Sequence, residues 1–127
     1  SAEELYSTCH IVSLHIPATP TTVRSIGYDL VKSMKPNAIL VNSAHKKMID
    51  EAGLLRAMEE RPDLRYVTDL KLKAHDEAVA KLGDRYVFTP KKMGAQTAEA
   101  NINAGLAAAQ QIVDYFKDGN HTYQVNK

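Results

Sequence analysis

Four groups of residues in this chain have types and spacings that can do chemistry. The first is Ser13-Leu-His-Ile-Pro-Ala-Thr-Pro-Thr-Thr22, an apolar run that breaks into turn and cap residues. The second is Asn42-Ser43-Ala44-His45, a polar run at the end of the apolar stretch Ala38–Val41. The third is Asp69, closing Leu64–Thr68, and the fourth is Lys91-Lys92-Met93-Gly94-Ala95 after Thr89-Pro90. Hydroxyls and loop amides can hydrogen-bond the oxygens of a ligand. A carboxylate can accept from an amide, and a lysine or histidine can move a proton. Each group also has a plainer reading: a strand-to-helix turn, a solvated His-Lys-Lys loop, an aspartate capping the next turn, a pair of surface lysines.

What makes the groups worth joining is their common position. Each follows a short apolar run, and in an open parallel α/β sheet ligands bind outside the carboxyl ends of the strands. The pattern predicts strands over 10–16, 38–42, 64–70 and 85–89. It predicts helices over 1–7, from Thr19-Pro20 to about Met34, from Asp50-Glu51 to Arg61, over 75–82, and from Thr97 to about Lys117. Ser1 caps the first helix, and Gly83 and Gly119 stand where helices end. The near-continuous apolar run at 10–16 suggests a strand covered on both faces. This β-α-β-α order gives a parallel, Rossmann-like half-sheet of about four strands with flanking helices and a long C-terminal helix. At 1.5 Å per residue that last helix is roughly 30–35 Å long. Its stripe of Ile102, Leu106, Ala109, Val113 and Phe116 is therefore expected to pack partly outside this sheet. The six glycines never take the Gly-x-Gly-x-x-Gly spacing of a pyrophosphate turn, so this is expected to be the second half of a dinucleotide fold, with either the rest missing or another chain covering its open strand edge.

Composition narrows the function classes. The chain has 127 residues and a net charge of +1, which gives no reason to expect nucleic acid or a membrane surface as partner. No apolar run approaches the ~20 residues of a membrane span. The single cysteine, Cys9, reads as a small core residue, and its solitude fits a reducing compartment, with the cytoplasm as the expected location.

The spaced motifs His15-x-Pro17-x-Thr19-x-x-Thr22, Met34-Lys35-Pro36-x-Ala38-Ile39-Leu40-Val41-Asn42-Ser43-Ala44, Asp50-Glu51-x-x-Leu54-Leu55, Asp69 and Thr89-Pro90 resemble the NAD-dependent D-2-hydroxyacid dehydrogenases. Lys92-Met93-Gly94-Ala95-Gln96-Thr97 and Gln124-Val125-Asn126-Lys127 resemble a subgroup in which lysine replaces the catalytic histidine and the substrate is 3-phosphoglycerate. The resemblance implies an oxidoreductase that moves a hydride between NAD and a 2-hydroxy acid, feeding serine synthesis, and a homodimer when intact. It implies residues 1–95 as the rear half of a dinucleotide-binding domain and 96–127 as a helix and tail returning to a substrate domain. It implies His15, Ile16, Pro17, Thr22, Asn42, Ser43, Ala44, Asp69, Gly94 and Ala95 as cofactor contacts, with Lys92 as base. His45 stands where the family has an arginine that grips the substrate carboxylate. Histidine lacks arginine's bidentate fork. The family's catalytic acid has no counterpart about five residues after Asp69; Asp76 and Glu77 come later and suit a helix N-terminus. A non-catalytic NAD-binding or assembly module with a decayed site is thus an open alternative, and a flavodoxin-like domain a weaker one. The choice of NAD over NADP rests on a residue expected upstream.

Overall fold

A computed structural model describes residues 1–90 and 97–126. Four strands, β1 (Ile11–Leu14), β2 (Ile39–Asn42), β3 (Arg65–Thr68) and β4 (Tyr86–Phe88), form one parallel sheet in the order β1-β2-β3-β4. The helices are α1 (Ala2–Thr8), α2 (Tyr28–Lys32), α3 (Glu51–Glu60), α4 (His75–Leu82) and α5 (Ala98–Asp118). The chain divides into two compact units, Ser1–Lys91 and Lys92–Lys127.

Sequential strand order with right-handed crossovers puts every connecting helix on one face of the sheet. Burial obeys that rule. Val12 and Leu14 of β1, Leu40 and Asn42 of β2, Tyr66 and Thr68 of β3 and Tyr86 of β4 are buried, while Ile11 is 64% and Val87 42% exposed. The expectation that the first strand is covered on both faces is therefore corrected. Its apolar alternates include Ile11, which lies on the side the crossover helices do not reach. On the helical side the core runs from Tyr6 of α1 through Val31, Leu54 and Met58 to Ala78 and Leu82.

The ends of the elements obey local rules. Ser1 and Glu4 form a reciprocal capping box at the start of α1. Gly83 and Gly119 take φ of +56° and +63°, as their places beyond α4 and α5 require. The helix expected from Thr19-Pro20 is much shorter than its pattern suggests. Residues 20–24 are turns, Ile26 bridges to Ile49, and only Tyr28–Lys32 is α-helical. The reason lies in Arg24, whose φ of +55° ends any helical run, and in the Ile26–Ile49 bridge, which draws the chain into an extended pairing. The described tail around Tyr123 is turn and coil. None of α5's side chains is buried.

Candidate active site at the carboxyl edge of the sheet

The strand register does most of the positioning. Leu14 lies beside Asn42, Asn42 beside Thr68, and Thr68 beside Phe88. One residue further on, His15, Ser43, Asp69 and Thr89 form a row along the carboxyl edge. Adjacent strands are about 4.8 Å apart, so His15 and Asp69 stand about 10 Å from each other. Three of the residues singled out from sequence are thus brought to one edge by backbone pairing alone.

Behind this row sits a layer that holds the loops. Asn42 is fully buried. Its Nδ2 donates to the His45 carbonyl and to the Tyr66 hydroxyl, each at 3.3 Å, and its Oδ1 accepts from the Ala44 N–H at 3.1 Å. Its amide is fully used in shaping the Asn-Ser-Ala-His turn, so Asn42 holds the site in form and presents no free group to a ligand. Thr68 works the same way one strand over. Its hydroxyl donates to the Asn42 carbonyl at 2.7 Å and accepts from the Leu70 N–H at 3.0 Å, which sets the exit of β3 around Asp69. Burial pushes the Tyr66 hydroxyl up from its ordinary pKa, so it stays protonated. Neither Thr68 nor Tyr66 was singled out by sequence. The signal was their alternation: two polar-tipped residues two apart on an otherwise apolar inward row, ending beside Asn42.

The loop after β1 is closed by Thr22. Its hydroxyl donates to the Pro17 carbonyl at 2.7 Å and accepts from the Thr19 N–H at 2.7 Å. Thr22 is thus a loop clasp, and what the loop offers outward is exposed His15, Ile16 and Pro17. The His15 Nε2 lies 2.9 Å from the Ser13 hydroxyl, which fixes the ring beside the strand end. Ser43 is exposed, and Ala44 and His45 are half-buried. The His45 Nδ1 accepts from the Lys47 N–H at 3.1 Å, capping the short 3-10 turn Lys46–Met48. That bond requires a lone pair on Nδ1, so the ring's free donor is Nε2–H. The loop after β3 is held by Glu51, whose two carboxylate oxygens accept from the Lys73 and Ala74 N–H groups at 3.1 and 3.0 Å. Asp76 and Glu77 lie in the first turn of α4, serving that helix as expected.

Asp69 is the exception to this saturation. Its Oδ1 is buried and, among the described residues, has no hydrogen-bond partner. A buried carboxylate oxygen left bare costs free energy unless something donates to it. The candidates Lys92, Gly94 and Ala95 lie outside the described residues. Among the described residues no group of histidine, cysteine and carboxylate side chains could hold a metal ion.

Residues 1–90 match the family model described as the D-isomer specific 2-hydroxyacid dehydrogenase, NAD binding domain. The chain belongs to this family. The chain is 31% identical over 132 aligned residues to a D-3-phosphoglycerate dehydrogenase of Haemophilus influenzae, with 99% of this chain and 32% of that protein covered. It superposes on an NAD+-bound 3-phosphoglycerate dehydrogenase of Entamoeba histolytica with a TM-score of 0.85 and 45% identity, covering all of this chain and 42% of that one. A glycerate dehydrogenase-related protein of Thermoplasma acidophilum, at 20% identity and a TM-score of 0.70 over 92% of this chain, shares the fold. The chain therefore spans about a third to two-fifths of these relatives.

Proposed function

We propose that this chain is the rear portion of an NAD-dependent D-3-phosphoglycerate dehydrogenase, with residues 1–95 completing the nucleotide domain and 96–127 returning to a substrate domain. The observation that carries the reading is the row of His15, Ser43 and Asp69 along one sheet edge, with the Asp69 Oδ1 buried and bare among the described residues. NAD fits this edge: Asp69 would accept from its carboxamide, and the loop from His15 to Pro17 with Ser43 and Ala44 would line its adenosine and ribose portions. Gly94 and Ala95 would meet the nicotinamide side. When bound, the cofactor supplies a nicotinamide C4 that accepts or gives a hydride.

The chain's own residues do the rest. Asn42, Thr22 and Thr68 keep the loops in shape, so the contacts are formed before the ligand arrives. Lys92 takes the proton of the substrate hydroxyl as the hydride leaves and returns it in the reverse direction. His45 offers its Nε2–H to the substrate carboxylate as a single donor where an arginine would offer two.

The test is NADH formation from 3-phosphoglycerate by the protein that carries this chain with the remainder of its nucleotide and substrate domains. NADH should form, and Lys92→Ala should cut kcat about a hundredfold or more, the usual worth of a general base. Absence of NADH with any 2-hydroxy acid ends the enzyme reading. The alternative, a non-catalytic NAD-binding module, draws on the single donor left on His45. It would be chosen if NAD binds while no hydroxy acid is oxidised.

A further inference from the structure

Beside the carboxyl-edge row lies a recess of about 390 Å³ to which the dehydrogenase reading gives no role. The loops after β1, β2 and β3 meet there, and it is lined by Arg24, Lys46, Lys47 and Lys73 with only Asp50 and Glu51 as acids. Both acids are already committed. Asp50 Oδ1 pairs with the Arg24 guanidinium at 2.8 Å, and Glu51 spends both oxygens on the Lys73 and Ala74 amides. Among the described residues, no carboxylate pairs with the ammonium groups of Lys46, Lys47 or Lys73. Elsewhere on this unit Lys32 pairs with Glu60, and Lys81 with Glu59 and Glu77, while Lys35 and Lys71, without an ion pair among the described residues, do not line the recess. A chain of net charge +1 has thus gathered a local excess of cations in one concavity.

The same recess receives the start of α3. Asp50 occupies the N-cap position, yet its side chain makes no capping bond there and turns to Arg24. The first-turn amides of a ten-residue helix therefore lack a side-chain acceptor on the side where the lysines stand. Three ammonium groups and a helix start facing one space suit a ligand of about two negative charges and three accepting oxygens, as a phosphate monoester has. A lone carboxylate would use one or two of these donors.

We propose that Lys46, Lys47 and Lys73, with the first turn of α3, form a binding site for a phosphoryl group. It has two sources: the phosphate end of a phosphorylated hydroxy acid whose carboxylate meets His45, or a separate phosphorylated metabolite. The site itself does not depend on the dehydrogenase reading; only the first source does.

The test is a titration of the protein that carries this chain with inorganic phosphate, monitored through its amide resonances. Saturable shifts at Lys46, Lys47, Ala52 and Lys73 are expected. Lys47→Glu with Lys73→Glu should weaken binding about tenfold or more, from the loss of charged hydrogen bonds. Lys35→Glu, at the opposite end of the sheet, should leave it unchanged. If the double reversal loses the dispersed spectrum of a folded chain, Lys47→Gln and Lys73→Gln separately carry the comparison. A second titration with 3-phosphoglycerate separates the sources. Shifts that reach His45 as well mark the substrate's phosphate, and shifts confined to the recess mark a separate metabolite. No saturation, or an equal loss in Lys35→Glu, overturns the site. In that protein, NAD binding without phosphate binding would remove the site and leave the dehydrogenase reading standing, and phosphate binding without NAD binding would do the reverse.

Discussion

Asn42 and Asp69 divide the labour at the residue scale. Asn42 spends its side-chain amide on its own loop and on the Tyr66 hydroxyl, while Asp69 keeps one oxygen bare among the described residues. Asn42→Ala should therefore act on folding first. It strands the Ala44 N–H and the His45 carbonyl in a half-buried turn and should cost about 2–3 kcal/mol, read by chemical denaturation. Tyr66→Phe removes only one acceptor of that amide and should cost about 1 kcal/mol in the same measurement. His45→Arg tests the reverse case, a gain of function. A two-pronged donor in place of Nε2–H should lower KM for the hydroxy acid about tenfold, with kcat changed less. A KM that does not fall would show that the position does not face the carboxylate.

These roles were only partly legible in the sequence. The residue types of the edge row could be read because strand ends predict where ligands sit. That Asn42 and Thr22 point back into the loops could not, because a hydroxyl or amide beside a turn has the same spelling whether it faces a ligand or its own backbone. The Lys92 proposal rests on sequence resemblance, since that residue lies outside the described part of the chain.

At the scale of elements, close approach and charge fix how helices meet. A Cβ added to Gly53 would come within 2.7 Å of the Tyr28 backbone N and 2.8 Å of Asp50 Oδ2. Glycine inside α3 sacrifices helix propensity so that the start of α2 can lie against it. Gly53→Ala should thus destabilise by about 1–3 kcal/mol, although alanine is the better helix former. At the opposite end of α3, Arg61 donates to the Lys32, Met34 and Lys35 carbonyls and binds Asp63 through two bonds. The Arg61 guanidinium holds the Asp63 carboxyl well below the usual carboxylate range. Because the folded pKa is lowered, the contribution is complete above the unfolded value of about 4 and is lost as pH falls from there through the folded one. The unfolding temperature, measured from neutral to acid pH, should fall less steeply in Asp63→Asn than in the parent; equal slopes would remove Asp63 from the acid response.

The sequence made α4 and α5 plain, because caps and periodicity coincide there. It overstated α2, where the apolar spacing of Val23, Ile26 and Leu30 is helical in period but serves a turn, a bridge and a helix in succession. Apolar period alone does not reveal a residue such as Arg24 in the left-handed region.

At the scale of the whole molecule, sequential strand order leaves one sheet face without crossover helices and gives the sheet an outer strand at β1. Exposed Ile11 on that strand is an apolar edge of the kind that recruits other chains. The isolated chain should sediment faster as its concentration rises, and Ile11→Lys should reduce that effect; a concentration-independent monomer would show that the edge is protected. The same topology places the ligand row: parallel strands in register end together, so the residues just past their ends share one edge.

The most direct measurement of the central claim is the equilibrium binding of NAD+ to the protein that carries this chain, before and after Asp69→Ala. The account predicts an affinity lower by about tenfold or more with no fall in the unfolding temperature, because among the described residues nothing donates to the Asp69 Oδ1. Unchanged affinity would contradict it, since the carboxyl edge of the sheet would then not be where the nucleotide sits.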